Sequence, residues 1–329
     1  MPSRPKEMHE NRLHKNENEL IVYGPFHKTF FDFLTQFRHK YYGLDIDLTY
    51  YAAHPVEVVQ KVRDEVKYGI PTADVVMLPH YTTLMLKESG HLRDYRSPEL
   101  AAYDPMFRDP KGTWSAIAVE PTNFIYNRQL LDQKLVPTRL MDLTNPELKG
   151  MVAMQSTRDW SDGMYSFFYF ATLLGLIGEK KFDEFAKSFI KNVKPEVFAC
   201  YHNMQKYVAR EDYAIGLPLP LIKVGWEVET LNLVDVPRTA SMRSIGIVKG
   251  GQHQRNAELF VDHLLSEDWQ NSMGKMYEGL IPTRPGATMK YNAPFRDPKG
   301  IKYFPDENGV RDAFSPHSLL EKFKSVGLP

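Results

Sequence analysis

Ala73-Asp74-Val75-Val76-Met77-Leu78-Pro79 is an apolar run with a single acid, closed by a proline. A run of this length, ended by a residue that cannot continue a sheet ladder, predicts a buried strand. Working outward, Leu20-Ile21-Val22-Tyr23 is an earlier buried strand, ended by Gly24-Pro25. Between the two, Lys28 to Tyr41 sets Phe30, Phe33, Leu34 and Phe37 on the i, i+3, i+4, i+7 spacing of a helix face. Leu44 to Tyr51 alternates weakly and predicts a strand, and Pro55 to Glu65 predicts a helix with Val56, Val59 and Val62 on one face. Thr82 to Ser89 predicts a short helix. This alternation argues for α/β layers on a mainly parallel sheet.

The pattern resumes further along. Trp114 to Glu120 and Phe124 to Asn127 read as two extended segments. Met151 to Gln155, Val197 to Tyr201 and Tyr213 to Leu217 read as strands. Gly163 to Ile177, Lys180 to Asn192 and Met204 to Arg210 read as helices, forming a second α/β unit. Ile245 to Lys249 is extended, and Ala257 to Leu265, Asp268 to Tyr277 and Ser315 to Ser325 read as helices. The string Phe-Arg-Asp-Pro-Lys-Gly occurs at Phe107 to Gly112 and again at Phe295 to Gly300. Both copies read as exposed Asp-Pro turns.

Composition narrows the function. The 329 residues are enough for two lobes, and 43% of them are hydrophobic. Lys+Arg and Asp+Glu are 41 each, so the balance points to neither nucleic acid nor a membrane surface. Cys200 is the single cysteine, which excludes an intramolecular disulfide and a cysteine-cluster metal site. Phe198, Ala199 and Tyr201 beside it suggest a buried, inert thiol. Met1 to Leu20 is polar and charged, with no apolar signal core, and no segment has the length of a membrane span. No Walker-type Gly-x-x-x-x-Gly-Lys-Ser/Thr loop, His-Glu-x-x-His or Gly-x-Ser-x-Gly string occurs.

Six segments, in order over residues 20 to 290, resemble the bacterial extracellular solute-binding family of ABC importers, in the branch of ferric-iron, phosphonate and thiamine binders. They are Val22 to Lys28, Ala73 to Val76, Leu143 to Val152, Val208 to Gly216, Gly246 to Gly250 with Ala257 to Gln270, and Gly279 to Pro285. The resemblance implies a two-lobed, type II periplasmic-binding-protein-like α/β fold. Its lobes are joined by crossing hinge strands near Ser115 to Val119 and Ser241 to Val248, and ligand is held between them. It implies a flexible segment 1–17, lobe one over 18–118 plus 240–290, lobe two over 119–239, and a tail 291–329 whose helix packs on the lobes.

Candidate ligand residues follow from strand ends and helix starts, where free N–H groups gather anions. On lobe one they are Tyr23, His27, Lys28, His80 and Tyr81. In the ferric branch a His-Lys pair at the place of His27-Lys28 supplies a metal ligand, so His27 is the metal candidate if iron is the cargo. Pro79 stands where that branch has a glutamate, and Leu221-Ile222 stand about where it has two tyrosines; neither can hold a hard ferric ion. On lobe two the candidates are Glu120 and Thr122 beside the first crossing, then Thr157, Trp160, Ser161, Asp162 and Gly163, then Tyr201 and Asn203, with Asn203 read as a helix cap, and Leu219 as part of an apolar wall.

The expected function is the binding component of an ABC importer that captures a small organic anion: a phosphorylated compound, a phosphonate or a carboxylate. A ferric carrier with a non-standard ligand set is one alternative, and a cytoplasmic sensor or enzyme on the same fold is another. The expected partners are the small ligand and a membrane permease, without nucleic acid, membrane insertion, cofactor or catalysis, in a monomer. The expected location is the periplasm or extracellular surface after signal removal, with the cytoplasm as the alternative.

Overall fold

Strand gives way to helix from the first described residues onward. The protein is described by a computed structural model over residues 18–25, 31–158, 164–199, 201–220, 227–236, 239–276, 280–288, 302–303 and 316–329. Strand β1 (Glu19–Gly24) precedes helix α1 (Phe31–Lys40), then come β2 (Asp47–Ala52), α2 (Pro55–Tyr68), β3 (Val75–Pro79), α3 (His80–Glu88) and β4 (Leu92–Arg93). Strand β5 (Ser115–Asn127) carries the chain out of this first unit. The second unit holds β6 (Val152–Gln155), α4 (Met164–Ile177), α5 (Glu179–Val193), β7 (Glu196–Phe198), α6 (Tyr201–Ala209), β8 (Ile215–Pro220) and β9 (Val228–Thr230). Strand β10 (Thr239–Val248) returns to the first unit, which adds α7 (Gln254–Leu265), α8 (Glu267–Met276) and β11 (Ile281–Pro282). The chain then re-enters the second unit with β12 (Lys302–Tyr303) and α9 (Pro316–Ser325). Unit 1 is Met1–Val119 with Met242–Lys290, and unit 2 is Glu120–Ser241 with Tyr291–Pro329.

In unit 1 the order is β2-β1-β3-β10, parallel through β3 and antiparallel at β10. In unit 2 it is β5-β8-β6-β7, parallel from β8 to β7, with β5 antiparallel to β8. Along each of these four-strand paths the sheet is parallel except for one antiparallel strand, which is a crossing strand; the short strands β4, β9 and β11 pair antiparallel with the crossing strands. The mainly parallel expectation holds for β1, β2 and β3 and for β6, β7 and β8.

Local chemistry sets the elements. Pro55 opens α2 at a position where its missing N–H costs nothing, and Gly69 closes it with φ of 64°. The buried face of α2 is Val58, Val59, Val62 and Glu65; Val56, placed on that face by its spacing, is only half-buried. Glu65 is tolerated there because Lys61 Nζ lies 2.6 Å from its carboxylate and the Tyr23 hydroxyl donates to it at 3.2 Å. In unit 2, Phe182, Phe185 and Phe189 of α5 point inward as their spacing predicts. Helix α9 joins that core: Phe323 packs 5.5 Å from Phe167 and 5.9 Å from Phe182, and Lys322 reaches Glu179 and Asp183 at 2.6 Å each.

Four sequence expectations change. The two extended segments around residues 114–127 are one strand, because Pro121 and Thr122, which read as turn residues, continue β5, and Thr122 pairs opposite Pro220 of β8. Strand β10 begins six residues earlier than Ile245, and all ten of its positions are buried. Strand β7 ends at Phe198, so Tyr201 belongs to α6; Asn203 is its third residue rather than its cap. The first Phe-Arg-Asp-Pro-Lys-Gly copy is not an exposed turn, since Phe107 and Asp109 are buried. Asp109 accepts from Lys87 Nζ at 2.7 Å, Thr113 N at 3.0 Å and Thr113 Oγ1 at 2.7 Å. Gly112 closes the turn at φ of 87°, where a Cβ would meet the Tyr95 carbonyl oxygen at 2.8 Å. The second copy, Cys200 and the segment 1–17 lie outside the described residues.

Two outcomes test this packing. Burial alone would raise the Asp109 pKa, but the bonds from Lys87 and Thr113 outweigh it and hold the carboxyl below its ordinary value. Asp109→Ala should lower the unfolding free energy by about 3 kcal/mol in urea titrations. Because the folded pKa is depressed, that contribution is present above the unfolded pKa of about 4 and is lost as pH falls through the folded value. The gap between wild type and variant should therefore shrink in acid. Phe323→Ala should cost about 4 kcal/mol in the same assay if α9 is part of the core, and almost nothing if it is an accessory.

Candidate functional site

Parallel strands in one sheet end at one edge, and that edge is where open α/β sheets bind ligands. In unit 1 this edge collects the ends of β1 and β3, and the antiparallel β10 enters there with Arg243 opposite Pro79. Helix α3 starts with no intervening residue after β3, so its first N–H groups face the same edge. His80 and Tyr81 open this helix and are both buried. His80 Nδ1 lies 2.9 Å from Ser244 Oγ, and the His80 ring meets Trp114 edge-on, with centroids 4.3 Å apart. Burial first, and the Lys87 charge second, push the His80 pKa down to about 3, so the imidazole is neutral. Burial pushes the Tyr81 phenol up while the charge of Arg243 pulls the other way, and the phenol keeps its proton. Tyr23 sits one residue before the end of β1, but its hydroxyl is spent on Glu65.

In unit 2 the corresponding edge collects the ends of β6, β7 and β8 and the start of this unit's share of β5. Glu120 is buried and accepts a 2.9 Å bond from the Tyr165 hydroxyl of α4. Thr122 is 1% exposed; its carbonyl accepts from Thr239 Oγ1 at 3.3 Å, and its own hydroxyl has no partner among the described residues. Gln155 ends β6 and donates to the Ala199 carbonyl at 3.1 Å. Thr157, two residues on, gives both its N–H (2.5 Å) and its hydroxyl (2.8 Å) to the Pro329 carbonyl. Tyr201 lies at the first position of α6 and Leu219 near the end of β8. A surface groove of about 610 Å³ is lined by Leu135 and Met141, from the segment before β6, and by Asn192 of α5, and includes none of the candidate ligand residues.

The structure thus gathers His80 and Tyr81 at one edge, and Glu120, Thr122, Thr157, Tyr201, Asn203 and Leu219 around the other. Tyr23 and Thr157 spend their polar groups inside their own units. His27, Lys28, Trp160, Ser161, Asp162 and Gly163 lie outside the described residues. Sequence reasoning missed Arg243, Tyr165 and Gln155. Arg243 had a readable signal: it is the one charged residue in an otherwise uncharged ten-residue strand. Tyr165 had none, because its spacing on an apolar helix looks like core. Among the described residues no three His, Cys, Asp or Glu gather into a metal site, and no helix is long and apolar enough to cross a membrane.

Comparison with known proteins places this geometry. The Fe(3+)-binding periplasmic protein of Serratia marcescens is 33% identical over 79 residues, a stretch that takes in 24% of this chain and only 23% of that relative's length. The ferric binding protein from Campylobacter jejuni superposes with a TM-score of 0.78 at 16% identity, covering 94% of this chain and all of the other. The periplasmic binding protein AfuA from Actinobacillus pleuropneumoniae, solved with fructose-6-phosphate bound, superposes with a TM-score of 0.74 at 24% identity, covering 93% and 98%. These two likenesses give the fold: the two-lobed, type II periplasmic-binding-protein architecture that the sequence resemblance implied. The family description "Bacterial extracellular solute-binding protein" matches residues 71–300. With well over half of its length matched, this chain belongs to the bacterial extracellular solute-binding protein family.

Proposed function

We propose that the protein is the capture component of an ABC importer, binding a small organic anion outside the cytoplasmic membrane and passing it to a permease without altering it. The observation that carries the reading is the build of the two sheet edges. In unit 1 strand β3 runs straight into helix α3, and in unit 2 strand β7 is followed closely by α6, so both edges bear helix N-termini suited to an anionic group. Unit 2 adds the Thr122 hydroxyl and the Glu120 carboxylate, which suit the hydroxyl or amine groups of an organic body.

The same residues argue against iron held in the usual way. Pro79 ends β3 without a metal donor, His80 is buried and bonded to Ser244, and Leu221-Ile222 supply aliphatic groups where the ferric branch has phenols. A ferric-binding relative and an AfuA-like fold bracket the choice, and the side chains here favour the organic solute. The His80–Ser244 pair at the unit 1 edge, 2.9 Å apart, is fully buried, and its imidazole, held at a pKa of about 3, is too weak a base to activate the hydroxyl, which favours binding over turnover.

A thermal-shift screen over ferric ion, sugar phosphates, phosphonates, carboxylates and thiamine compounds tests the reading. One anionic compound at about a hundred times its Kd should add about 2.7 kcal/mol of stability, and the compound should be recovered unchanged. Stabilisation by ferric ion alone would contradict it. With the best ligand, Thr122→Val should weaken binding about tenfold in calorimetry while leaving the melting temperature of the free protein nearly unchanged, because the lost hydroxyl bonds to no described group. An unchanged affinity would remove Thr122 from the site.

A further inference from the structure

Helix α9 closes with a turn that its sequence specifies. Gly327 takes φ of 83°, its N–H donates to the Lys324 carbonyl at 3.0 Å, and the Leu328 N–H donates to the Phe323 carbonyl at 2.9 Å. This pair of bonds is the Schellman closure, which a residue without a Cβ adopts at least cost. Phe323, Val326 and Leu328 are buried in the core of unit 2, so the turn is fixed in place. It delivers the next residue to the end of β6. There the Pro329 carbonyl accepts from Thr157 twice, from the N–H at 2.5 Å and from the hydroxyl at 2.8 Å. Thr157 is fully buried, and both of its donors are met by this one acceptor, 172 positions away. Beside it, the Ser156 N–H donates to the Phe198 carbonyl at the end of β7, 2.9 Å away. The chain leaving β6 is therefore fastened both to β7 and to the residue beyond the α9 turn.

The far end of the same connection is fastened as well. Helix α4 opens at Met164, and the hydroxyl of its second residue, Tyr165, donates to Glu120 of β5 at 2.9 Å. In sequence, the stretch between the two anchors contains Trp160, Ser161, Asp162 and Gly163. Connections at the carboxyl edge of a sheet carry ligand groups, and one that is held at both ends before ligand arrives loses less freedom on binding. We infer that Thr157 and Pro329 form a clamp that positions the β6–α4 connection for ligand, which makes α9 part of the binding apparatus of unit 2 as well as of its core. Thr157 is thereby a positioning residue and not a ligand contact. This rests on the solute-capture reading above and adds to it the contact that holds one of the two edges ready.

Hydrogen exchange of the ligand-free protein and calorimetric titration with inorganic phosphate, a hexose 6-phosphate and succinate test it in wild type, Thr157→Ser, Thr157→Val and Gly327→Val. Thr157→Val removes one of the two bonds, and Gly327→Val puts a β-branched residue at a positive φ and so displaces Pro329. Each should speed exchange over residues 156–165 by about fivefold or more while leaving the α5 amides unchanged. Each should also weaken the best-bound anion by about fivefold or more. Thr157→Ser keeps both donors and should match wild type within about twofold in both measurements. The double variant should bind about as weakly as the weaker single variant, because both substitutions remove the same contact. If Gly327→Val does not fold, the contrast between Thr157→Val and Thr157→Ser decides alone. Unchanged exchange in Thr157→Val overturns the clamp, and faster exchange with unchanged affinity overturns its positioning role; both leave solute capture standing. A wild type that binds none of the three anions contradicts the capture reading instead, and the exchange measurement then decides the clamp by itself.

Discussion

Two strands, β5 and β10, each serve both folding units, and the rest of the structure is arranged around that constraint. A strand that crosses from one sheet to another must satisfy its backbone in both, so it is buried along its length, as β10 is. β10 runs antiparallel to β3 of unit 1, and β5 runs antiparallel to β8 of unit 2. The result is a repeated local arrangement. In unit 1, β10 places Arg243 opposite Pro79, the last residue of β3; in unit 2, β5 places Thr122 opposite Pro220, the last residue of β8. Each crossing strand thus delivers its polar residues to the carboxyl edge of a sheet. The candidate site is a consequence of the topology before it is a matter of particular side chains.

Buried carboxylates show the difference between a support and a site. Asp74, within the Ala-Asp-Val segment, accepts from Ile21 N at 2.8 Å, His253 N at 2.7 Å and His253 Nδ1 at 3.0 Å, and so ties β1 to the start of α7. Gly251 passes so close that a Cβ there would meet Asp74 Cα at 2.6 Å. Asp109 and Glu65 are likewise engaged by groups of their own unit. Glu120 differs in position: it stands on a crossing strand at a sheet edge, where it accepts from the Tyr165 hydroxyl. Burial and charge are shared by all four, and place in the topology separates them.

The fold was legible because period and punctuation agreed with it. Ala73 to Pro79, the phenylalanines of α5 and the Gly69 turn each carry a local signal that tertiary packing reinforces. The misreadings share a cause. Pro121, Thr122 and the Asp109-Pro110 pair carry turn chemistry, yet the first two continue a strand whose ladder partners lie about a hundred residues away, and Asp109 is drawn inward by Lys87. Long-range pairing of that kind leaves no trace in a local window. The site was legible only in part for the same reason. His80 and Glu120 could be placed by their nearness to strand ends, whereas Thr157's bond to Pro329 spans 172 residues and Arg243 is aligned with Pro79 only by register.

A crystal structure grown with the best ligand from a solute screen tests the central claim most directly. The account predicts one organic anion bound at a sheet edge, with a polar atom within about 3 Å of the Thr122 hydroxyl. A ligand seated away from both edges, or an iron ion coordinated there in its place, would contradict it.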